Sequence, residues 1–427
     1  MNCSCWREKR VSAALRILIL TRNFPPRLCG VGDYACRMAE VLSAAGDFVG
    51  VLTEPVGAMR NVPFGLSELP LRGWRDLKPV LREIAAAAPD RVQLEYSGYA
   101  WGRWGVAWWL NALLFALRRR KIPVHIGLHE TAIRMRQHPL QIPVALAQWA
   151  HIALMMAAAE TVELNMPSRV KLLGRVFPWW RAKLRYRPNS STIPVVATDE
   201  ADRVALRRER GVASGEAVVA TFGMFHTAKH YEALIGAVAR LAGTRKVKLW
   251  MLGDVAMAVP EYVARLKRMA REGGIEEQVW WPGRLEAADV SRALQAANVF
   301  VLPQPDGHLT RSSAFMAAAA HGLPVVAVRN PAERDQVEFT HGENVWLVER
   351  SAPEEIAAAV AALLADPAAA GRMGGALRRL YAERFDWSAT VAGAPAAEST
   401  SVPSGSPGAS TRHEDAVTAA HAGGVKP

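Results

Sequence analysis

Short aliphatic runs recur along this chain. Each leaves through a loop bearing Gly or Pro into a stretch whose apolar residues fall three and four apart. Such runs predict strands buried on both faces, and the stretches between them predict helices covering a parallel sheet. In the first half, strands are read at Arg16–Leu20, at FVGVLT, at Arg91–Tyr96 and at VHIGL just before His129. A helix follows the loop NFPPRLCG and stops at Gly46, and another covers VAWWLNALLFALRRRKIP. Gln141–Arg187 reads as helical and basic. RPNSSTIPVV reads as a connection between domains, because Pro188, Asn189 and Pro194 forbid regular structure there.

A second alternation starts at Ala217. It runs through strand AVVATFG, loop HTAKH, helix YEALIGAVARLA, strand KLWMLG, a helix over Pro260–Glu272, strand QVWWPG and helix ADVSRALQAAN. It leads into Val299–Val328, the stretch around which the rest is organised. There VFVLP predicts a buried strand and PDG a loop. Ser312–His321 predicts an Ala-rich helix opened by Ser and closed by Gly322, and PVVAV the next strand. The expected organisation is a flexible segment 1–14, Rossmann-like domains over 15–190 and 191–392, and a disordered Pro/Ser/Gly/Ala tail over 393–427.

With 427 residues, half of them hydrophobic, the chain can build more than one core. Its net charge of +12 is unevenly placed. Met1–Ser190 holds 27 Lys+Arg against 13 Asp+Glu, which leaves 25 against 27 for the rest. A basic half favours an anionic partner such as phospholipid headgroups or an anionic acceptor. No base-reading module accompanies it, so nucleic acid is not the expected partner. Cys3, Cys5, Cys29 and Cys36 fit no zinc spacing and suit a reduced compartment. Arg16 splits the first apolar run, against a signal peptide. Gln148 and His151 interrupt the longest one, against a membrane span.

Candidate chemistry gathers where loops meet helix starts, because unpaired N–H groups and the positive dipole end there favour an anion. Asp306, Gly307, Arg311, Ser312 and Ser313 occupy such a place, and Gly30 and Gly32 let backbone approach a ligand at another. His129 and Glu130 directly follow a strand, where a parallel sheet keeps its ligand. Trp108, Trp109 and the cations Arg118, Arg119, Arg120 and Lys121 admit two readings. One is a core helix whose cations complement its C-terminal dipole, and the other is a contact with an anionic bilayer.

In order and spacing, RNFPPRLCGVGDY, LHE, FGMFHTAK, LWMLGD, VWWPGRL, NVFVLPQPDG, HGLPVVAV and HGENVWLV resemble a family 4-type glycosyltransferase of the GT-B class, over about Arg16–Trp387. PDGHLTRSSAFMAAAAHGLPVV resembles a subgroup with a D-G-x-x-x-R loop. The resemblance implies two Rossmann-like α/β domains facing across a cleft. It implies transfer of a sugar from a nucleotide-diphosphate sugar to a glycan or lipid-linked hydroxyl acceptor, with retention, and no bound metal or cofactor. It implies a cytoplasmic enzyme of cell-surface polysaccharide or glycolipid synthesis, peripheral on the inner face of the membrane. By position, Lys229, Asp306 and His129 would be catalytic. Gly30, Gly32, Gly223, His226, Lys229, Gly307, Arg311, Ser312 and Ser313 would hold the donor diphosphate, and Asp33, Glu130 and Tyr96 would face the acceptor. The chain departs from the family pattern at Met224, where an arginine is usual, and at Leu309 and Ala317, where a glutamate pair is usual. Those departures fit an alternative in which a degenerate GT-B protein binds nucleotide sugar or glycan as a scaffold.

Overall fold

The computed structural model describes residues 14–57, 61–131, 142–253, 260–330 and 338–392. The tail 393–427 and nearly all of the segment 1–14 lie outside them, with Cys3 and Cys5. Two compact units meet in sequence between Pro188 and Asn189.

The first unit contains β1 (Arg16–Leu20), α1 (Gly30–Ala44), β2 (Phe48–Thr53), β3 (Gly65–Glu68), α2 (Leu77–Ala87), β4 (Arg91–Tyr96), α3 (Gly98–Trp101), α4 (Trp108–Arg119), β5 (Val124–Leu128), α5 (Ile142–Ala158), β6 (Thr161–Leu164), α6 (Pro167–Val176) and β7 (Leu184–Tyr186). Among the described residues these strands form one parallel sheet in the order β3-β2-β1-β4-β5-β6-β7. Strand β1, interior to the sheet, lies between Gly50 of β2 and Val92 of β4 at Leu18. Ile17 to Leu20 are all buried, as expected of a strand covered on both faces.

The second unit contains α7 (Glu200–Glu209), β8 (Ala217–Phe222), α8 (Tyr231–Ala242), β9 (Val247–Leu252), α9 (Pro260–Glu272), β10 (Val279–Trp280), α10 (Ala287–Ala296), β11 (Val299–Leu302), α11 (Ser313–Ala320), β12 (Val325–Val328), β13 (Trp346–Val348), α12 (Pro353–Ala365) and α13 (Pro367–Arg384). Its described strands are also parallel, in the order β10-β9-β8-β11-β12-β13. Helix α11 is buried along its whole apolar length, Ala314 to Ala320. Four consecutive alanines let it sit close under α13. A Cβ added at Gly374 of α13 would fall 2.1 Å from the Gly322 carbonyl oxygen.

Strand order reverses direction at β1/β4 in one sheet and at β8/β11 in the other. Loops leaving the carboxyl ends of such paired strands diverge and leave a crevice, which is where open parallel sheets bind ligands. The loops that follow β8 and β11 carry Lys229 and Asp306.

Several sequence expectations need correction. Gln141–Arg187 is not helical throughout, since it holds β6 and β7, and β3 was not anticipated at all. These strands are only three or four residues long and carry Glu163, Arg185 and Glu68, so no aliphatic run announces them. QVWWPG shrinks to the two residues of β10. Trp109 is 3% exposed and belongs to the first unit's core, so it offers nothing to a membrane, whereas Trp108 beside it is 43% exposed. No single helix among the described residues is long and apolar enough to cross a membrane.

Candidate active site

In the second unit the two switch-point loops are tied together by side chains. A tight turn, Thr227–Lys229, follows β8, and its Lys229 Nζ donates to Gln304 Oε1 at 2.6 Å. Gln304 follows β11 and passes the link on, its Nε2 donating to Asp306 Oδ1. Asp306 Oδ2 lies 3.8 Å from Arg311 Nη2 and 3.8 Å from His308 Nε2. Burial, with the Arg311 charge adding to it, lowers the Lys229 pKa to about 8, against the opposing effect of Asp306. Two cations share one carboxylate at a half-buried edge, so an arriving diphosphate would meet unspent positive charge.

The remaining residues expected here divide by what the fold already asks of them. Ser312 is the N-cap of α11, and its Oγ accepts from Phe315 N at 3.2 Å. Ser313, the first residue of that helix, stays partly exposed. His226 caps the Thr227–Lys229 turn through Nδ1, which accepts from Ala228 N at 3.2 Å. Gly307 has φ +55, and a Cβ there would come within 2.4 Å of the Val328 carbonyl, so the loop's path excludes any other residue. Gly223 ends β8 with φ +132. Leu309 and Ala317 are core residues at 4% and 0% exposure, while Met224 is 42% exposed.

In the first unit the carboxyl ends of β4 and β5 build a buried ionic cluster. Glu95, fully buried on β4, accepts from His129 Nε2 at 2.6 Å and from Gln93 Nε2 at 2.9 Å, and Arg187 Nη2 lies 3.2 Å from it. Arg187 also meets Glu163 of β6 at 3.1 Å. Burial pushes the Glu95 carboxyl up, but the His129 hydrogen bond and the Arg187 charge outweigh it and hold the group below the usual carboxylate range. Burial acts to lower the Arg187 pKa, and Glu163, Tyr34 and Glu95 together raise it above its usual value. Space for the Glu95 carboxylate comes from Gly127 on β5, where a Cβ would fall 2.4 Å from Oε2. His129 is further held by Arg169, which donates to its carbonyl at 2.7 Å, and by the Tyr34 ring at 5.3 Å.

Around this cluster, exposed Glu130 accepts from Ser97 Oγ at 2.8 Å, and Asp33 lies in the first turn of α1. Gly30 is exposed with open space where a Cβ would be, whereas Gly32 sits against the Asn23 carbonyl. Tyr96 is corrected. Its side chain is buried and its hydroxyl donates to the Gly105 carbonyl at 3.0 Å, so it is a core residue rather than an acceptor contact. One further carboxylate, Glu54 after β2, faces Arg22, Arg27 and Arg72 within 3.2 to 3.4 Å and leaves this edge positive. Among the described residues no group of three or more His, Cys, Asp or Glu is placed to hold a metal ion.

Gln304, Glu95, Gln93, Glu163 and Arg187 were not anticipated. For Glu95 the signal was present, since alternation in RVQLEY puts Gln93 and Glu95 on one face of a strand with no other polar partner in sequence reach.

Residues 216–366 match the family of glycosyl transferases group 1. The chain is 30% identical over 203 residues to the lipopolysaccharide core biosynthesis glycosyltransferase LpsE of Rhizobium meliloti, covering 47% of this chain and 52% of that one. It is 30% identical over 204 residues to the D-inositol 3-phosphate glycosyltransferase of Segniliparus rotundus, covering 45% and 42%. The chain thus spans about half the length of the relatives it matches. In structure it is similar to Anabaena HepE in complex with UDP, with TM-score 0.66, 19% identity and coverage of 87% and 96%. It is also similar to WaaG, a glycosyltransferase involved in lipopolysaccharide biosynthesis, with TM-score 0.63, 13% identity and coverage of 88% and 97%. The chain has the GT-B fold of those structures, with a parallel-sheet Rossmann-like arrangement in each unit.

Proposed function

From a second unit that matches the glycosyl transferases group 1, we propose that the chain transfers a sugar from a nucleotide-diphosphate donor to a hydroxyl of a glycan or lipid-linked acceptor, with retention of configuration. The observation that carries this reading is the Lys229–Gln304–Asp306–Arg311 constellation at the β8/β11 crevice. Departure of a nucleoside diphosphate builds negative charge on the leaving oxygen, and pre-placed cations and helix-start amides stabilise that charge more in the transition state than in the ground state. Lys229 and Arg311 take that part, with Ser313 at the α11 N-terminus. Asp306 and Gln304 fix the two cations until the donor arrives. Asp306 and Gly307 with Arg311 supply the D-G-x-x-x-R pattern of the subgroup. Of the first unit's residues, His129, braced by Glu95, is the one we assign to the sugar, and Asp33 and Glu130 are those we assign to the acceptor.

Because the positive edge around Arg22, Arg27 and Arg72 suits an anionic acceptor, a lipid-linked phosphate or acidic glycan is the favoured class. Such an acceptor places the enzyme on the inner face of the cytoplasmic membrane, with Trp108 and Arg118, Arg119, Arg120 and Lys121 toward it. Purified protein incubated with UDP-, GDP-, ADP- and dTDP-sugars tests the proposal. Nucleoside diphosphate appearing only when an acceptor extract is added supports it. Binding of nucleotide sugar without release under every condition would favour the scaffold alternative, to which Met224, Leu309 and Ala317 point.

A further inference from the structure

Helix α5 is amphipathic the wrong way round for a protein surrounded by water. Its sequence, IPVALAQWAHIALMMAA, has two polar side chains, Gln148 and His151, and both are buried, at 4% and 0% exposure. His151 Nδ1 pairs with Asn111 of α4 at 2.7 Å, and Gln148 donates to the Trp104 carbonyl at 2.7 Å. The outward row, spaced by four, is Ile142, Leu146, Ala150 and Leu154, with Leu146 54% exposed and Ile142 and Leu154 at 41% and 39%. A surface helix of a soluble protein ordinarily shows the opposite pattern. Neighbouring elements extend the apolar face. Trp149 of α5 meets Phe177, Phe177 meets Trp179, and Trp179 is 68% exposed. Beyond His151, Trp108 lies at 5.7 Å.

The stretch of chain that carries this face is rich in cations. From Trp108 to Arg185 there are 12 Lys+Arg against 3 Asp+Glu. At the end of α5, Lys183 donates to the carbonyls of Met156 and Ala159 at 2.9 and 2.7 Å, and Arg118 donates to that of Ala157. Two positive side chains thus close the helix end while none stands within the helix itself. An apolar stripe with aromatic edges and basic flanks matches the boundary between headgroups and acyl chains of an anionic bilayer.

We propose that α5 is the element that enters the membrane, lying in the plane of an anionic leaflet with Ile142, Leu146 and Leu154 among the acyl chains and Trp179 at the headgroup level. This rests on the peripheral-membrane part of the reading above and is independent of sugar transfer.

Flotation of the full chain with vesicles of phosphatidylglycerol and phosphatidylcholine tests it, beside vesicles of phosphatidylcholine alone. Protein should float with the anionic vesicles at low salt, and at 0.5 M salt (a probe chosen to screen the cations) only part of it should be released, because the apolar contact persists. The double variant Leu146→Glu, Leu154→Glu should bind at least about tenfold more weakly, since two side chains each lose several buried CH₂ transfers. Both positions are solvent-exposed, so an unchanged melting temperature is expected. Should that variant unfold, Leu146→Gln gives the same comparison with a smaller loss. Acyl-brominated phosphatidylglycerol should quench tryptophan fluorescence in the wild type and less in Trp179→Phe. Absent flotation at low salt, or equal flotation of the variants, overturns the proposal. So does a concentration-dependent dimer in sedimentation that the double variant abolishes, because a second copy would then cover the stripe. Nucleoside diphosphate release on a soluble acceptor, measured in parallel, reports on sugar transfer separately and should survive the double substitution.

Discussion

Lys229 carries opposing demands, and they are separable by experiment. For chemistry its ammonium should matter most, so Lys229→Ala is expected to lower turnover by roughly a hundredfold or more, read as nucleoside diphosphate released per enzyme. For stability the same charge is a burden. An unfolded lysine holds its proton up to about pH 10.4, whereas the folded one releases it near 8. Between those values the unfolded chain binds more protons, so stability rises with pH across that window, and below it the full penalty stands. Lys229→Met should therefore melt higher than wild type at pH 7, by at least about 2 °C, and the difference should vanish toward pH 10.5. Affinity for UDP should weaken above about pH 8 in the wild type and hold in Lys229→Arg, by titration calorimetry. Glu95 behaves in the opposite sense. Its folded pKa is depressed, so its contribution is present above the unfolded value of about 4.3 and is lost as pH falls through the folded one. Glu95→Ala leaves Arg187 and His129 facing an empty buried site and should cost about 3–5 kcal/mol in urea unfolding. Neither Gln304 nor Arg187 was legible beforehand, because a loop glutamine and a cation before proline look like solvent-facing residues until the fold brings their partners to them.

At the scale of elements, legibility followed length and polarity. β1, β8, β11 and β12 could be read from aliphatic runs, and α11 from Ser312 and Gly322 at its ends. β3, β6 and β7 could not, because pairing with an already formed neighbour, rather than their own composition, makes them strands. The same pairing explains why Gln141–Arg187 looked uniformly helical, since α5 and α6 dominate its periodicity. The β11–α11 loop depends on Gly307 more than on any polar residue within it. Gly307→Ala would need a left-handed alanine whose Cβ sits 2.4 Å from a backbone oxygen. It should lower stability by about 1–3 kcal/mol and weaken UDP binding as well. Ser312→Ala, which removes the α11 cap, should cost about 1 kcal/mol with a smaller effect on the nucleotide. Chemical denaturation and calorimetry on both variants check the order.

For the whole molecule, the second unit has buried clusters on both faces of its own sheet. A fragment spanning 189–389 is therefore expected to unfold cooperatively and to bind a nucleoside diphosphate while transferring no sugar. Differential scanning calorimetry with and without UDP would show this, a concentration of one hundred times Kd adding about 2.7 kcal/mol. The close seat of α11 beneath α13, with Gly374 against the Gly322 carbonyl, has a consequence for redesign. An alanine floor with no spare volume resists substitution, and Gly307, Leu309 and Thr310 above it are fixed by backbone path and burial, so a lineage, or an engineer, wishing to accept a new donor has room to edit chiefly Pro305 and His308. Novelty at this pocket would be written in a very few letters over a foundation that stays the same.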